Sequence, residues 1–150
     1  MPVGFTGPFA ERLNSKSPLW IKEGEPGEEI EKGKVIIAPG GKHLVVDRDR
    51  KIMLNTEPPI HGVRPAVDPM LESVGKVFRE DSLGVILTGM GKDGAVGLQT
   101  LKRYGGKTIA QDEETSVVFG MPRAAISTGC VDYILPLESI PEHIIRLVRG

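Results

Sequence analysis

Twelve residues, Gly84-Val85-Ile86-Leu87-Thr88-Gly89-Met90-Gly91-Lys92-Asp93-Gly94-Ala95, restrict most narrowly what this chain can fold into. Val85 to Thr88 reads as a buried strand. The six residues after it hold three glycines, a lysine and an aspartate. From Ala95 to Tyr104, apolar residues recur at helical spacing: Val96, Leu98, Leu101 and Tyr104. Strand, tight turn and helix in this order form the unit with which open α/β sheets hold a site at the carboxyl ends of their strands. Glycine lets such a turn take positive φ and lets other atoms approach its backbone. A helix that starts just after the turn aims free N–H groups at whatever sits there.

The stretch supports more than one reading. Gly89, Gly91 and Gly94 satisfy G-x-G-x-x-G between a strand and a helix, the fingerprint of a dinucleotide-binding module. Asp112-Glu113 follows the next strand-like run, Lys107 to Ala110, at about the distance of a ribose-binding acid. Asp93 opposes this reading, because it sets a carboxylate among amides meant for a pyrophosphate. A P-loop is excluded: Lys92 is followed by Asp93, not Ser or Thr, and Ile86 stands where the first glycine belongs. As an ordinary first-turn acid, Asp93 would stabilise its helix by roughly 0.3–1 kcal/mol through the dipole.

The chain's 150 residues are enough for one domain with a substantial core. A net charge of -1, from 19 basic and 20 acidic residues, gives no support to a nucleic-acid or anionic-membrane partner. The single cysteine, Cys130, excludes an internal disulfide and suits a reducing compartment. No apolar run reaches spanning length, and Met1-Pro2-Val3-Gly4-Phe5 lacks the features of a signal peptide, so the expected location is cytoplasmic.

Taken in order, Thr6 is positioned to cap a helix that begins with Gly7-Pro8 and ends near Asn14-Ser15, with Phe5 and Phe9 expected in the core. Leu19 to Lys22 reads as a short strand. Glu23 to Lys34 reads as a surface loop with solvated charges. Val35 to Ala38 is a strand, and His43 to Asp47 with Lys51 to Asn55 reads as a hairpin about Arg48-Asp49-Arg50. Pro58 to Pro65 is a rigid loop. Asp68 is expected to cap a helix with Pro69 at its first position, running to about Arg79. Beyond the central strand and helix come the strand Lys107 to Ala110, a loop from Gln111 to Gly120, a short helix from Met121-Pro122-Arg123 to Gly129, and a strand from Tyr133 to Leu135. Ser139-Ile140-Pro141-Glu142 is a capping box, opening a helix with Ile144, Ile145 and Val148 expected inward. Helices alternating with strands, plus a hairpin, predict an α/β fold, three-layered and Rossmann-like, with a mainly parallel sheet and an antiparallel hairpin.

Several blocks in this order resemble the catalytic domain of the chemotaxis protein-glutamate methylesterase family, CheB: Met1 to Leu13, Ile37 to Gly40 with His43, Arg64 to Asp68, Gly84 to Ala95, Thr108 to Gln111 and Val118 to Ala125. The likeness runs essentially end to end. It implies hydrolysis of glutamate γ-methyl esters on methylated chemoreceptors, often with deamidation of receptor glutamines, by a serine-histidine-aspartate triad without metal or cofactor. It implies a single catalytic domain over residues 1–150, short of its N-terminal strand-helix unit and without the receiver domain that usually precedes it. Asp93 carries over as the triad's acid. Met90 carries over as a candidate oxyanion donor through its backbone, with Gly89, Gly91 and Met121 beside it at the cleft.

In the family, the histidine directly precedes the Met-Pro pair that is Met1-Pro2 here, and the serine lies in a glycine turn about one strand-helix unit earlier. Neither position falls within this chain, so the polypeptide alone is expected to be inactive. A missing N-terminal segment or a second chain would supply both residues. The absent strand would otherwise leave an open sheet edge, which a paired chain, an oligomer or coding sequence upstream of Met1 would account for. A non-catalytic module that binds receptor or partner is the alternative reading.

No substitute dyad stands out. His43 adjoins a glycine turn, His61 lies in the proline loop and His143 lies on the last helix, and the three have no metal-ligand spacing. Ser116 lacks a strand-to-helix elbow. Arg64 and Arg123 stand in proline-bounded loops, either to contact acidic substrate or to form salt bridges, such as one from Arg64 to Asp68.

Overall fold

The computed structural model describes residues 1–150. Its order is α1 (Thr6–Asn14), β1 (Trp20–Glu23), β2 (Lys34–Ile37), β3 (His43–Val46), β4 (Ile52–Asn55), α2 (Val67–Phe78), β5 (Leu83–Ile86), α3 (Ala95–Arg103), β6 (Lys107–Gln111), α4 (Met121–Ser127), β7 (Tyr133–Leu135) and α5 (Ile140–Arg149). The α/β class, the parallel pairing and the antiparallel hairpin match the sequence reading. The parallel pairing is divided between β1-β2 and a sheet of order β5-β6-β7, and β3-β4 forms the hairpin. In the larger sheet Val85 lies beside Ile109, and Ile109 beside Tyr133.

Helix α2 joins two cores. One contains Leu71, Ile86, Leu98, Leu101 and Ala125, and the other Leu44, Val46 and Ile52. Val74 packs against both. Helices α2 and α3 approach closely enough that a Cβ on Gly75 would lie 2.7 Å from the Leu101 Cα, and one on Gly97 would lie 2.9 Å from the Asp68 carbonyl oxygen. Gly97→Ala is therefore expected to destabilise the domain. Better helix propensity returns at most about 1 kcal/mol, while overpacking against backbone costs about 1–3 kcal/mol. A net loss, read as a lower urea midpoint with an unchanged slope, is the expected result.

Several local expectations fail for tertiary reasons. Thr6 is buried inside α1 rather than capping it: its hydroxyl donates to Glu23 and accepts from the Gly40 amide. Phe5 and Phe9 are not core residues, at 64% and 39% exposure. The charges of the Glu23–Lys34 segment are not all solvated. Glu28 stands 2.6 Å from Lys34 Nζ and 3.1 Å from Lys22 Nζ, and this segment's backbone adds to the hairpin through Gly27, Glu28 and Ile52. Burial pushes the Glu28 carboxyl up, and the two lysines outweigh it, holding the group below the usual range. Asp132 behaves alike: burial raises it, and Lys102 with the Thr108 amide and hydroxyl lowers it further than burial lifts it. Ser139 makes no side-chain cap, and Ile145 and Val148 face outward on α5, leaving Ile140 as its buried residue.

Candidate active site

The glycine turn after β5 is held from two sides. Gln111, fully buried, accepts the Thr88 amide at 2.8 Å on Oε1 and donates from Nε2 to the Thr115 carbonyl at 2.8 Å. The Thr88 hydroxyl donates to the Val118 carbonyl at 3.0 Å and accepts the Val118 amide at 2.8 Å. The Gly89 carbonyl accepts the Met121 amide at 2.8 Å. Gly120 must be glycine here, because a Cβ on it would meet the Gly89 carbonyl oxygen at 2.7 Å, while a Cβ on Gly89 would push aside the Met121 sulfur, 2.5 Å away. Gly91 takes φ +96° and Gly94 takes +100°, left-handed values that a side chain would strain. Between Gly89 and Gly91 the Met90 amide has no protein acceptor. The Met90 side chain is 84% exposed, next to exposed Leu87, Val117 and Val118.

Asp93 turns inward from this turn and is 7% exposed. Its Oδ2 accepts the Val67 amide at 2.7 Å and its Oδ1 the Asp68 amide at 3.0 Å, so it caps α2. Asp68 does not cap its own helix, contrary to the sequence expectation. Its Oδ1 accepts the Gly94 amide at 2.9 Å and the Gly97 amide at 2.8 Å, capping α3. The two aspartates thus exchange helix ends, each buried charge meeting the positive end of the other's helix. Two of the amides that would grip a pyrophosphate at the start of α3, those of Gly94 and Gly97, are taken by the Asp68 carboxylate, which weighs against the dinucleotide reading.

His61, with φ +53°, donates from Nε2 to Asp68 Oδ2 at 3.2 Å. One ligand atom from each of His61, Asp68 and Asp93 lies within 4.8 Å of the others. As a donor set for a metal ion the cluster is poor. Backbone amides hold both Asp93 oxygens and Asp68 Oδ1, leaving one carboxylate oxygen and one imidazole nitrogen. Sequence reading missed this pairing; its only local trace is a histidine seven residues ahead of an aspartate, across a proline turn.

The other histidines are structural. His43 is 1% exposed, donates from Nε2 to the Pro58 carbonyl at 3.0 Å and accepts the Ala66 amide on Nδ1 at 3.1 Å, so neither nitrogen is free. His143 donates from Nδ1 to the Ser139 carbonyl at 3.2 Å, beside the Tyr133 ring. None of the three bonds to a hydroxyl or thiol. Arg64 makes no salt bridge with Asp68; its Nη1 donates to the carbonyls of Thr56 at 3.1 Å and Glu57 at 3.3 Å, bracing the loop ahead of α2. Arg123 is exposed on α4 without an ion pair.

These features define an α/β domain whose charged turn stands at the carboxyl end of a parallel strand. The family model described as CheB methylesterase matches residues 1–144. The chain is 54% identical over 152 residues to a protein-glutamate methylesterase/protein-glutamine glutaminase of Pyrococcus abyssi, covering 99% of this chain and 41% of that protein. A protein of the same name from Clostridium acetobutylicum is 49% identical over 150 residues, covering 100% of this chain and 44% of that protein. The crystal structure of the Thermotoga maritima CheB methylesterase catalytic domain superposes with a TM-score of 0.95 at 48% identity, over 99% of this chain and 80% of that one. The chain belongs to the CheB methylesterase family. It spans about two fifths of the length of these curated relatives.

Proposed function

We propose that the chain forms the acid-bearing part of a glutamyl ester hydrolase, with Asp93 as the orienting carboxylate of a serine-histidine-aspartate triad. The observation that carries this is the anchoring of Asp93. Two backbone amides fix both of its oxygens at the foot of a glycine turn, and an imidazole, that of His61, already stands within 4.8 Å of it. A carboxylate so held can keep a histidine in one tautomer and stabilise the imidazolium. The histidine takes the serine proton as the serine oxygen attacks the ester carbonyl. The free Met90 amide is the donor for the oxyanion that forms, a term whose loss costs other hydrolases about 10²–10³ in kcat. Collapse expels methanol, or ammonia from a glutamine, and water then releases glutamate from the acyl-enzyme. The exposed apolar rim of Leu87, Met90, Val117 and Val118 suits a protein substrate. The relatives' names support a protein glutamyl ester or glutamine as the substrate, and the family resemblance supports methylated chemoreceptors as the protein that carries it.

Serine and histidine come from outside residues 1–150 on this reading. The test is methanol release from a glutamyl methyl ester peptide. The polypeptide of residues 1–150 alone is expected to give none above the no-enzyme rate, and a polypeptide joining it to the serine- and histidine-bearing unit is expected to turn over. Turnover by residues 1–150 alone, unaffected by substitution of Asp93, would sink the assignment.

A further inference from the structure

The C-terminal end of α2 lies about 18 Å along the helix from the end that meets Asp93. There the surface forms a trough of about 600 Å³ lined by Arg48, Arg50, Lys76, Val77, Arg79 and Tyr104. A second depression of about 500 Å³ continues it along α2, sharing Arg48, Lys76 and Val77. The four cations are exposed, and none makes an ion pair, although the chain as a whole is slightly acidic. Asp47 and Asp49 share the hairpin turn with the arginines, and Glu72 and Glu80 lie nearby in sequence. Asp47 is turned to the Asp49 and Lys51 amides, and Glu72 forms no bridge to Lys76 one helical turn away.

Two of these arginines occupy backbone positions that disfavour them. Arg50 has φ +62° and Arg79 has φ +50° with ψ -120°. Glycine is the residue such positions ordinarily take, above all where a helix ends. Each arginine is instead held over an aromatic ring, Arg50 over Phe78 at 5.1 Å and Arg79 over Tyr104 at 4.9 Å. Stacking presents a planar, weakly hydrated cation without neutralising it.

We propose that this trough is a docking surface for an acidic polypeptide segment. A compact anion such as phosphate fits it poorly, because the carbonyl end of α2 points a partial negative charge there, and no helix N-terminus supplies amides. A string of carboxylates avoids that end by meeting the long side chains at their tips. Arginine forks suit carboxylates in pairs, and the apolar floor of Val77 and Tyr104 takes the aliphatic stems of an acidic segment. The surface is independent of ester hydrolysis.

The test is fluorescence anisotropy of a labelled ten-residue Glu-Ala peptide titrated with the full chain at about 50 mM salt. Saturable binding is expected, weakening at least about fivefold at roughly 300 mM salt. Arg50→Gly/Arg79→Gly should weaken it about tenfold or more while leaving the melting temperature unchanged or raised. Lys76→Glu, on an exposed helical face, should weaken it about threefold or more without touching either strained position. Absence of binding at low salt, or unchanged affinity in both variants, overturns the proposal. Tighter binding of a single-stranded oligodeoxynucleotide of equal charge also overturns it, in favour of a nucleic-acid surface.

Discussion

Replacing Asp93 by asparagine is expected to lower kcat for glutamyl methyl ester hydrolysis by about 10⁴, with little change in KM, in a polypeptide that contributes serine and histidine. Asparagine is nearly the same shape, so the substrate surface persists. What changes is the hydrogen-bond polarity. An amide nitrogen in place of one carboxylate oxygen donates where the Val67 or Asp68 N–H already donates. The ring that follows loses its anionic partner and turns to the unproductive tautomer. The measurement is initial rate against substrate concentration, with unfolding midpoints recorded beside it. A loss under tenfold in a folded variant would remove Asp93 from the chemistry and leave it as a helix cap.

Asp68→Ala carries the largest expected effect on stability. It leaves the Gly94 and Gly97 amides without an acceptor and strips His61 of its partner. Losing a cap and burying donors unsatisfied costs about 2–4 kcal/mol, a fall of about 6–12 °C in melting temperature for a chain this long. Removing one of two neighbouring like charges returns part of that loss. The hydrogen bonds outweigh the repulsion because each is charge-assisted and faces a helix N-terminus. Asp68→Asn keeps an acceptor oxygen for both amides and should recover most of the stability. Equal melting temperatures for the alanine variant and the parent would show that the cap contributes nothing.

Much of the fold was legible because it is written locally. The run from Gly84 to Tyr104 declares a strand, a turn and a helix through spacing and glycine alone; the structure places α3 at Ala95–Arg103, and β5 at Leu83–Ile86, two residues ahead of the expected Val85 to Thr88, with Leu87 and Thr88 exposed beyond it. The hairpin was legible for the same reason, since two short apolar runs, Leu44 to Val46 and Ile52 to Leu54, flank the polar turn Arg48-Asp49-Arg50, and Leu44, Val46 and Ile52 form one cluster. What escaped was any feature that depends on a residue far along the chain. Asp68 read as the cap of its own helix because capping rules are local, yet its acceptor role falls to amides 26 and 29 positions away. Thr6 read as a cap and instead bonds across 34 positions to the Gly40 amide. Ile145 and Val148 read as inward because α5 is amphipathic, and amphipathicity alone does not name the surface an apolar stripe will meet. The candidate site divides the same way. The family resemblance, and not the local pattern, singled out Asp93, while the neighbours that fix its oxygens, Val67 and Asp68, had to await the packing of α2 on α3.

The exchanged caps also bear on how this region breathes. Four amide protons, those of Val67, Asp68, Gly94 and Gly97, are shielded by carboxylates borrowed across the helix pair. Neither helix start can fray alone, because unwinding one withdraws the acceptor that shields the other. Hydrogen exchange at these four positions should therefore report one shared opening free energy, set by a concerted opening and not by separate end effects.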